Sequence, residues 1–338
     1  SLDTIHAFED WYESTYGQKV KVNYSTYASN EDLYAKLKSG AVSYDVIIPS
    51  DYMIARLKDE GMLQPLNFDN IPNYQHIHEG FQGLYYDPDN QYSVPYTYGV
   101  VGIIYDANQV DPADAQGWDL MWNEKYAGKI LQFNNSRDAF GTAMYKDGLD
   151  VNTTDKAQWD QALQTLLDQR PLVKGYVMDE IFNSLESGEA AIGAYYAGDY
   201  FTMAEAQAEN VDLQFYYPEP TNYFIDAMCI PKGCQNKEGA EAFINFLCRP
   251  DVSAANLDYI GYSTPETAAK EYMDEEVIES PVSYPDDETL SRSESFAELG
   301  IEATQTMNDL WLSVKTEGAN TMLYLALTIA AVAAVIAF

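Results

Sequence analysis

An aspartate set in an apolar row is the sharpest chemical feature of this 338-residue chain. In NYFIDAMCIPKG, strand alternation puts Phe224, Asp226, Met228 and Ile230 on one face. Burying an unpaired carboxylate is costly, so Asp226 needs a partner, either an internal Lys or Arg or the ammonium of a ligand. A second carboxylate, Asp138, lies in LQFNNSRDAFGTAMY, where it follows a strand and opens a helix. Asn135 is placed to be the N-cap and Asp138 the acid of a capping box, favoured also by the helix dipole, so cap and ligand contact stand as equal readings. Ser50, after DVIIP, has the same double reading as N-cap or cleft hydroxyl. Tyr52, Tyr195, Tyr196, Phe224 and Tyr262 all fall at predicted strand ends or in the turns just beyond them. An aromatic face attracts an ammonium or a polarised methylene by about 0.5 to 2 kcal/mol, so several faces can sheath a flexible aliphatic cation. One tyrosine alone is more often core than contact; the set gains weight because a buried carboxylate accompanies it.

Charge decides which partners are open to such a site. With 53 acidic side chains against 19 basic ones, the formal charge is -34, which repels phosphate and excludes nucleic acid as a partner. The same imbalance makes a ligand ammonium the better partner for Asp226. A hydrophobic share of 46% excludes intrinsic disorder, and 28 tyrosines in an acidic chain suit an organic cation. No phosphate-binding glycine loop, GxSxG or HExxH motif occurs, so nothing supports nucleotide binding, covalent catalysis or a cofactor. Cys229, Cys234 and Cys248, with His6, His76 and His78, make neither a disulfide framework nor a zinc set. The cysteines read as small core or surface thiols, and NYQHIHEGF reads as a surface loop.

Short apolar runs alternating with helical patterns must position these residues. KVKVNYS, a helix from about residue 31 to 38, YDVIIPS and a helix from about 52 to 60 form one series. GKILQFN, a helix from about Arg137, helices near 157–167 and 179–187, and AAIGAYY form another. Two α/β lobes with largely parallel sheet are predicted. LYAKLKSGAVSYDVIIPSDY and IFNSLESGEAAIGAYYAGDY echo each other, and each places Tyr and Asp beyond the carboxyl end of a strand, where open α/β sheets bind ligands. Two such edges face to face make a cleft. The chain opens in an amphipathic helix marked by Leu2, Ile5, Phe8, Trp11 and Tyr12, with no signal peptide pattern. It ends in TMLYLALTIAAVAAVIAF, an uncharged run that at about 1.5 Å per residue nearly crosses a bilayer core of roughly 30 Å. A transmembrane helix is expected over 319–338, its orientation unset because no Lys or Arg follows it. Both ends read as those of a fragment.

Larger segments carry a family resemblance. STYASNEDLYAKLKSGAVSYDVIIPSDYMIARLKDEGMLQPL, YSVPYTYGVVGIIYD, FIDAMCIPKG, NKEGAEAFINFLCRPDVSAANLDYIGYSTP and YPDDETL, in order from about Val20 to Leu290, resemble the spermidine/putrescine-binding proteins of polyamine ABC transporters. The resemblance implies a two-lobed periplasmic-binding-protein fold of type II, with crossovers near Tyr96 to Gly99 and Tyr223 to Asp226. One lobe is then 1–97 with 226–268, and the other 98–225 with 269–316. It further implies that Ser50, Tyr52, Asp138, Tyr196, Phe224, Asp226 and Tyr262 contact a polyamine. Asp138 stands where the family has Glu, Asn135 where it has a second acid, and Tyr196 and Phe224 where better-known members have tryptophans. The acid lost at Asn135 favours a short diamine such as putrescine over spermidine. A family glutamine aligns near Phe296, and the family's first strand is absent before Ser1. The implied activity is extracytoplasmic, non-enzymatic capture of a polyamine for an ABC permease and its ATPase, here with a membrane tether or a permease fusion. Three other readings stand beside it: ferric iron held by the Tyr195–Tyr196 pair, a hydrolase using Asp138 and Asp226, and a tethered polyamine sensor.

Overall fold

Strand β1 (Ser93–Asp106) is the longest strand of the described chain and belongs to two cores at once. In the computed structural model, which describes residues 2–316, six more strands accompany it: β2 (Ile130–Phe133), β3 (Val173–Val177), β4 (Ile192–Tyr196), β5 (Leu213–Tyr216), β6 (Thr221–Cys229) and β7 (Ser293–Glu294). The sheet order is β3-β2-β4-β1-β6-β7, with β5 also on β1. Among the described residues, the helices that position the site or its supports include α1 (Leu2–Tyr16), α2 (Asn30–Ser39), α3 (Asp51–Asp59), α4 (Ser136–Asp147), α5 (Lys156–Gln169), α6 (Glu180–Glu186), α7 (Asp199–Ala206), α8 (Lys237–Leu247) and α9 (Pro250–Ile260).

Residues 93–100 of β1 pair antiparallel with β6, and residues 101–106 pair antiparallel with β4 and β5. Val94 is buried in one core with Phe8, Ile230 and Phe246, while Val101, Ile103 and Ile104 are buried in another with Ile130, Phe133 and Ile192. Strand β6 runs the opposite way, from Phe224 in the second core to Met228 in the Val94 core, with Ile225, Ala227 and Cys229 in a third cluster beside Leu33, Ile54 and Leu57. Two adjacent strands running from one hydrophobic core into another make a two-lobed molecule with a paired-strand junction. Gly99 faces Phe224 across that junction, and a Cβ on Gly99 would meet the Phe224 ring at 2.7 Å, so the glycine lets the ring lie over the crossing strand.

The sheet differs from the predicted one. Only β2 with β3, β2 with β4 and β6 with β7 are parallel; β1 is antiparallel to every neighbour, so the sheet is mixed rather than largely parallel. Its direction is set by its role as a link, since it enters the second lobe from the first instead of returning over a helix. The strand expected over residues 19–25 forms no named strand. There Val22 N donates to Glu9 Oε1 at 2.8 Å, so this amide is satisfied by a side chain of α1 instead of a ladder. The backbone of residues 44–50 forms no strand and bridges to β6 only at isolated antiparallel points, Ile47 to Cys229 and Ser50 to Asp226. The second of these bridges joins two of the residues singled out by chemistry. All three cysteines are free thiols, with Cys229 and Cys248 buried. His76 ends a 3-10 turn and His78 caps the next by accepting from Gly80 N. The apolar run Thr321–Phe338 lies outside the described residues, among which no helix is long and apolar enough to cross a membrane.

Candidate functional site

Two helix N-termini, one from each lobe, begin the site. At the start of α3, Ser50 occupies the N-cap position, and its carbonyl accepts from Met53 N and Ile54 N at 3.0 Å each. Its hydroxyl does not cap. It donates to Asp226 Oδ1 at 2.7 Å, while Asn30 Nδ2 donates to Ser50 Oγ at 3.1 Å and Asn30 Oδ1 accepts from Ser50 N at 3.1 Å. At the start of α4, Asn135 does cap: its Oδ1 accepts from Asp138 N at 2.8 Å and its Nδ2 donates to Asp138 Oδ2 at 2.7 Å. The same Oδ2 accepts from the Tyr196 hydroxyl at 2.9 Å. Cap and cleft are thus compatible roles, since Asp138 closes the first turn of α4 and also faces the cavity.

That cavity measures about 250 Å³, and Ser50, Tyr52, Asn135, Asp138, Tyr196, Phe224, Asp226 and Tyr262 all line it. The structure adds three carboxylates that the sequence reading did not single out: Glu31, Asp179 and Asp199. Each accepts from a phenol. Tyr52 donates to Glu31 Oε1 at 2.8 Å, Tyr195 to Asp179 Oδ1 at 2.9 Å, and Tyr262 to Asp199 Oδ2 at 2.9 Å. With their hydroxyls turned to carboxylates, these rings serve as walls. Phe224 stands edge-on to Tyr196, with centroids 5.3 Å apart at 74°, and lies 6.3 Å from Tyr262. Gly198, just before α7, makes room for Tyr262, because a Cβ there would lie 2.0 Å from its ring.

Among the described residues, no ion pair engages any of the five cavity carboxylates. The internal Lys or Arg considered for Asp226 is therefore replaced by the Ser50 hydroxyl. Burial pushes the Asp226 carboxyl up to about 6 against the pull of Ser50, with Asp138 adding repulsion. Burial likewise raises Asp138 to about 6, opposed by its bonds from Asn135 and Tyr196, with Glu31 adding repulsion. Asp199 reaches about 7 through burial, opposed by Tyr262 and reinforced by Asp179 and Asp226. Glu31 is also raised by burial. Carboxylates so crowded gain from any cation that enters, because it replaces lost solvation and relieves their repulsion. The Tyr195 and Tyr196 phenols are held well above their ordinary range by burial and by neighbouring carboxylates, and both donate to carboxylates, Asp179 and Asp138.

Glu31 and Asp199 had signals in the sequence. Glu31 sits in the first turn of α2 after the Ser29 cap, and Asp199 is the counterpart of Asp51 in the SDY and GDY echo. The echo does not carry through to function, because Asp51 is 1% exposed and does not line the cavity. Asp179 precedes α6 and had no distinguishing pattern. Phe296, where the resemblance departs, lies behind the cavity wall with its centroid 6.1 Å from that of Tyr52.

Comparison with known proteins matches residues 4–285 to the family described as bacterial extracellular solute-binding protein. The chain is 35% identical over 279 residues to the spermidine/putrescine-binding periplasmic protein of Escherichia coli, covering 81% of this chain and 79% of that protein. It is 28% identical over 313 residues to a putrescine-binding periplasmic protein of Pseudomonas aeruginosa, covering 88% and 85% respectively. The crystal structure of a spermidine/putrescine ABC transporter substrate-binding protein from Streptococcus pneumoniae is similar with a TM-score of 0.75 and 35% identity, over 94% of this chain and 95% of that one.

Proposed function

Because the chain belongs to the bacterial extracellular solute-binding proteins, a family of two-lobed, non-enzymatic receptors, we propose that it captures a polyamine and presents it to an ABC permease driven by an ATPase. One observation carries the choice of solute: five carboxylates without an ion pair share one cavity walled by aromatic rings. The cavity is smaller than the roughly 300 to 1,000 Å³ of pockets for drug-sized ligands, which suits a slender aliphatic cation. Asp226 and Asp138 take ammonium groups, and Tyr52, Tyr196, Phe224 and Tyr262 sheath the methylenes between them. Ser50 orients Asp226, and Asn135 holds Asp138 in place instead of supplying charge. The acid missing at Asn135 no longer argues for a diamine, since Glu31, Asp179 and Asp199 bring further negative charge into the same space.

The lobes we propose meet just after Tyr98 on β1 and just before Ile225 on β6, because these two residues face each other in the ladder and both pack with Leu33 and Ile54, a step away from the bounds the resemblance implies. Contacts support a final return to the second lobe later than residue 269. Ala269 and Met273 pack on Ala254 and Leu257, and the Tyr284 hydroxyl accepts from Thr264 N, whereas residues 293–294 pair with β6 beside the second core. Solute contacts from both sides favour the closed arrangement, shifting the population toward the form the permease receives. A membrane tether over residues 319–338 rests on hydropathy alone. Titration calorimetry of the folded full chain against putrescine, spermidine and spermine tests the assignment: micromolar or tighter binding of one amine is expected, and binding of none overturns it.

A further inference from the structure

A buried guanidinium that forms no ion pair among the described residues lies just behind the cavity, with Asp138 next to it in the chain and Glu298 and Arg56 lining the same small pocket. Arg137, in the first turn of α4, is 2% exposed. Its Nη1 donates to Val151 O at 2.7 Å, and its Nη2 donates to Asn152 Oδ1 at 2.9 Å and Ala297 O at 3.1 Å. Its Nε has no partner among the described residues. The guanidinium lies 4.2 Å from the Phe296 centroid and 6.0 Å from that of Tyr52. Neutral acceptors and ring faces spread its charge without cancelling it, and an uncompensated buried charge is costly. Glu31 has the complementary defect: Oε1 accepts from Tyr52, while Oε2 is buried with no partner among the described residues. Both residues line a second pocket of about 20 Å³, which exceeds the roughly 10 to 15 Å³ that one water needs. The space therefore admits a water able to accept from Nε and donate to Oε2.

We infer that Arg137 is the protein's own counter-cation for Glu31, joined to it through one water across the boundary between the two cores, so that the Glu31 corner of the cavity asks for no ammonium from the solute. The pair thereby sets how much positive charge the solute must bring, leaving Asp138, Asp179, Asp199 and Asp226 for it. Arg137 touches no solute and acts through Glu31 as a positioning residue. This rests on the polyamine reading. In the rival account, Arg137 merely ties residues 151–152 and 297 to α4, and Glu31 binds an ammonium directly.

Titration of the full chain with putrescine and spermidine separates these accounts. Arg137→Gln releases the charge of Glu31 and is expected to raise the spermidine-to-putrescine affinity ratio about fivefold or more, and adding Glu31→Gln is expected to return the ratio to the wild-type value. Glu31→Gln alone is expected to weaken both amines by the same factor, within about twofold. Additive effects of the two substitutions, or a selective loss of spermidine in Glu31→Gln, would overturn the inference. Should Arg137→Gln not fold, the two Glu31→Gln titrations still decide. Thermal melts of the four variants without amine read the pair itself, with coupled changes expected and additive ones opposing it. A folded wild type that binds no amine removes the polyamine reading instead, and the melts still report on the pair.

Discussion

The turns at Ser50 and Asn135 give two answers to one requirement, which is to hold a carboxylate at a helix N-terminus facing a cavity. At the Ser50 turn the acid comes from elsewhere in the chain: Asp226, on the junction strand β6, receives one short bond from the Ser50 hydroxyl and leaves the first turn of α3 without a side-chain cap. At the Asn135 turn the acid belongs to the helix itself, and Asp138 Oδ2 is already occupied by Asn135 and Tyr196. Asp226 therefore keeps more of its accepting capacity for an incoming ammonium, whereas Asp138 is fixed in direction but partly satisfied. One end of the cavity is built for affinity and the other for placement.

The largest effect that comparison predicts is at Asp226. Asp226→Asn is expected to weaken polyamine binding by about 1.5 to 3 kcal/mol, the worth of a hydrogen bond to a charged group, and Asp138→Asn by less than that. Calorimetry showing the reverse order would break the comparison. Acidity probes both ends together. The carboxyls of Asp226 and Asp138 near 6 and Asp199 near 7 lie above the unfolded value, so they favour the unliganded fold at low pH and lose that contribution as pH rises through 6 to 7. Bound ammonium groups favour the ionised forms, so binding releases protons. Affinity is expected to fall about tenfold or more between pH 8 and pH 5, measured by calorimetry in buffers of different ionisation enthalpy. A pH-independent affinity would remove these carboxyls from the site.

A pair of smaller substitutions separates the two turns further. Asn135→Ala removes a helix cap and is expected to cost about 0.5 to 2 kcal/mol of stability as well as affinity. Ser50→Ala removes no side-chain cap bond but does remove the bonds to Asp226 and from Asn30, so a cost of about 1 kcal/mol is expected in affinity, with a smaller drop in thermal stability than at Asn135→Ala. Equal drops in melting temperature would show that the Ser50 turn is as structural as the other.

How far these features were legible depended on range in sequence. The Asn135 cap spans three residues, and local patterning foretold it, although Asp138 answers the Asn135 side-chain amide and not the backbone N–H of a capping box. Asp226 stood out because a charge interrupts an apolar strand, yet its partner lies 176 residues away and no spacing rule reaches that far. Asp179 carried no pattern at all, because its place in the cavity follows from the packing of Tyr195 against Phe133 and Phe182. The antiparallel course of β1 was hidden for a similar reason. An apolar run records burial on both faces, while direction depends on which core the chain enters next.

The phenols offer the finest test of the contrast. Tyr262 donates to Asp199 and Tyr196 to Asp138, yet both rings also flank Phe224. If their rings are the binding element, Tyr→Phe at either position keeps the wall and removes one donor from a carboxylate oxygen. Tyr262→Phe is then expected to change affinity by about twofold or less and to push the Asp199 carboxyl further up, since Tyr262 is the bond that opposes burial there. Tyr196→Phe frees one accepting position on an Asp138 oxygen that Asn135 still holds, so affinity is expected to hold or rise slightly. Calorimetry on both variants, with the Asp199 titration followed by NMR, checks this. A loss at Tyr196→Phe as large as at Asp138→Asn would mean that the hydroxyl, not the cap, holds Asp138, and the division between an affinity end and a placement end would fail.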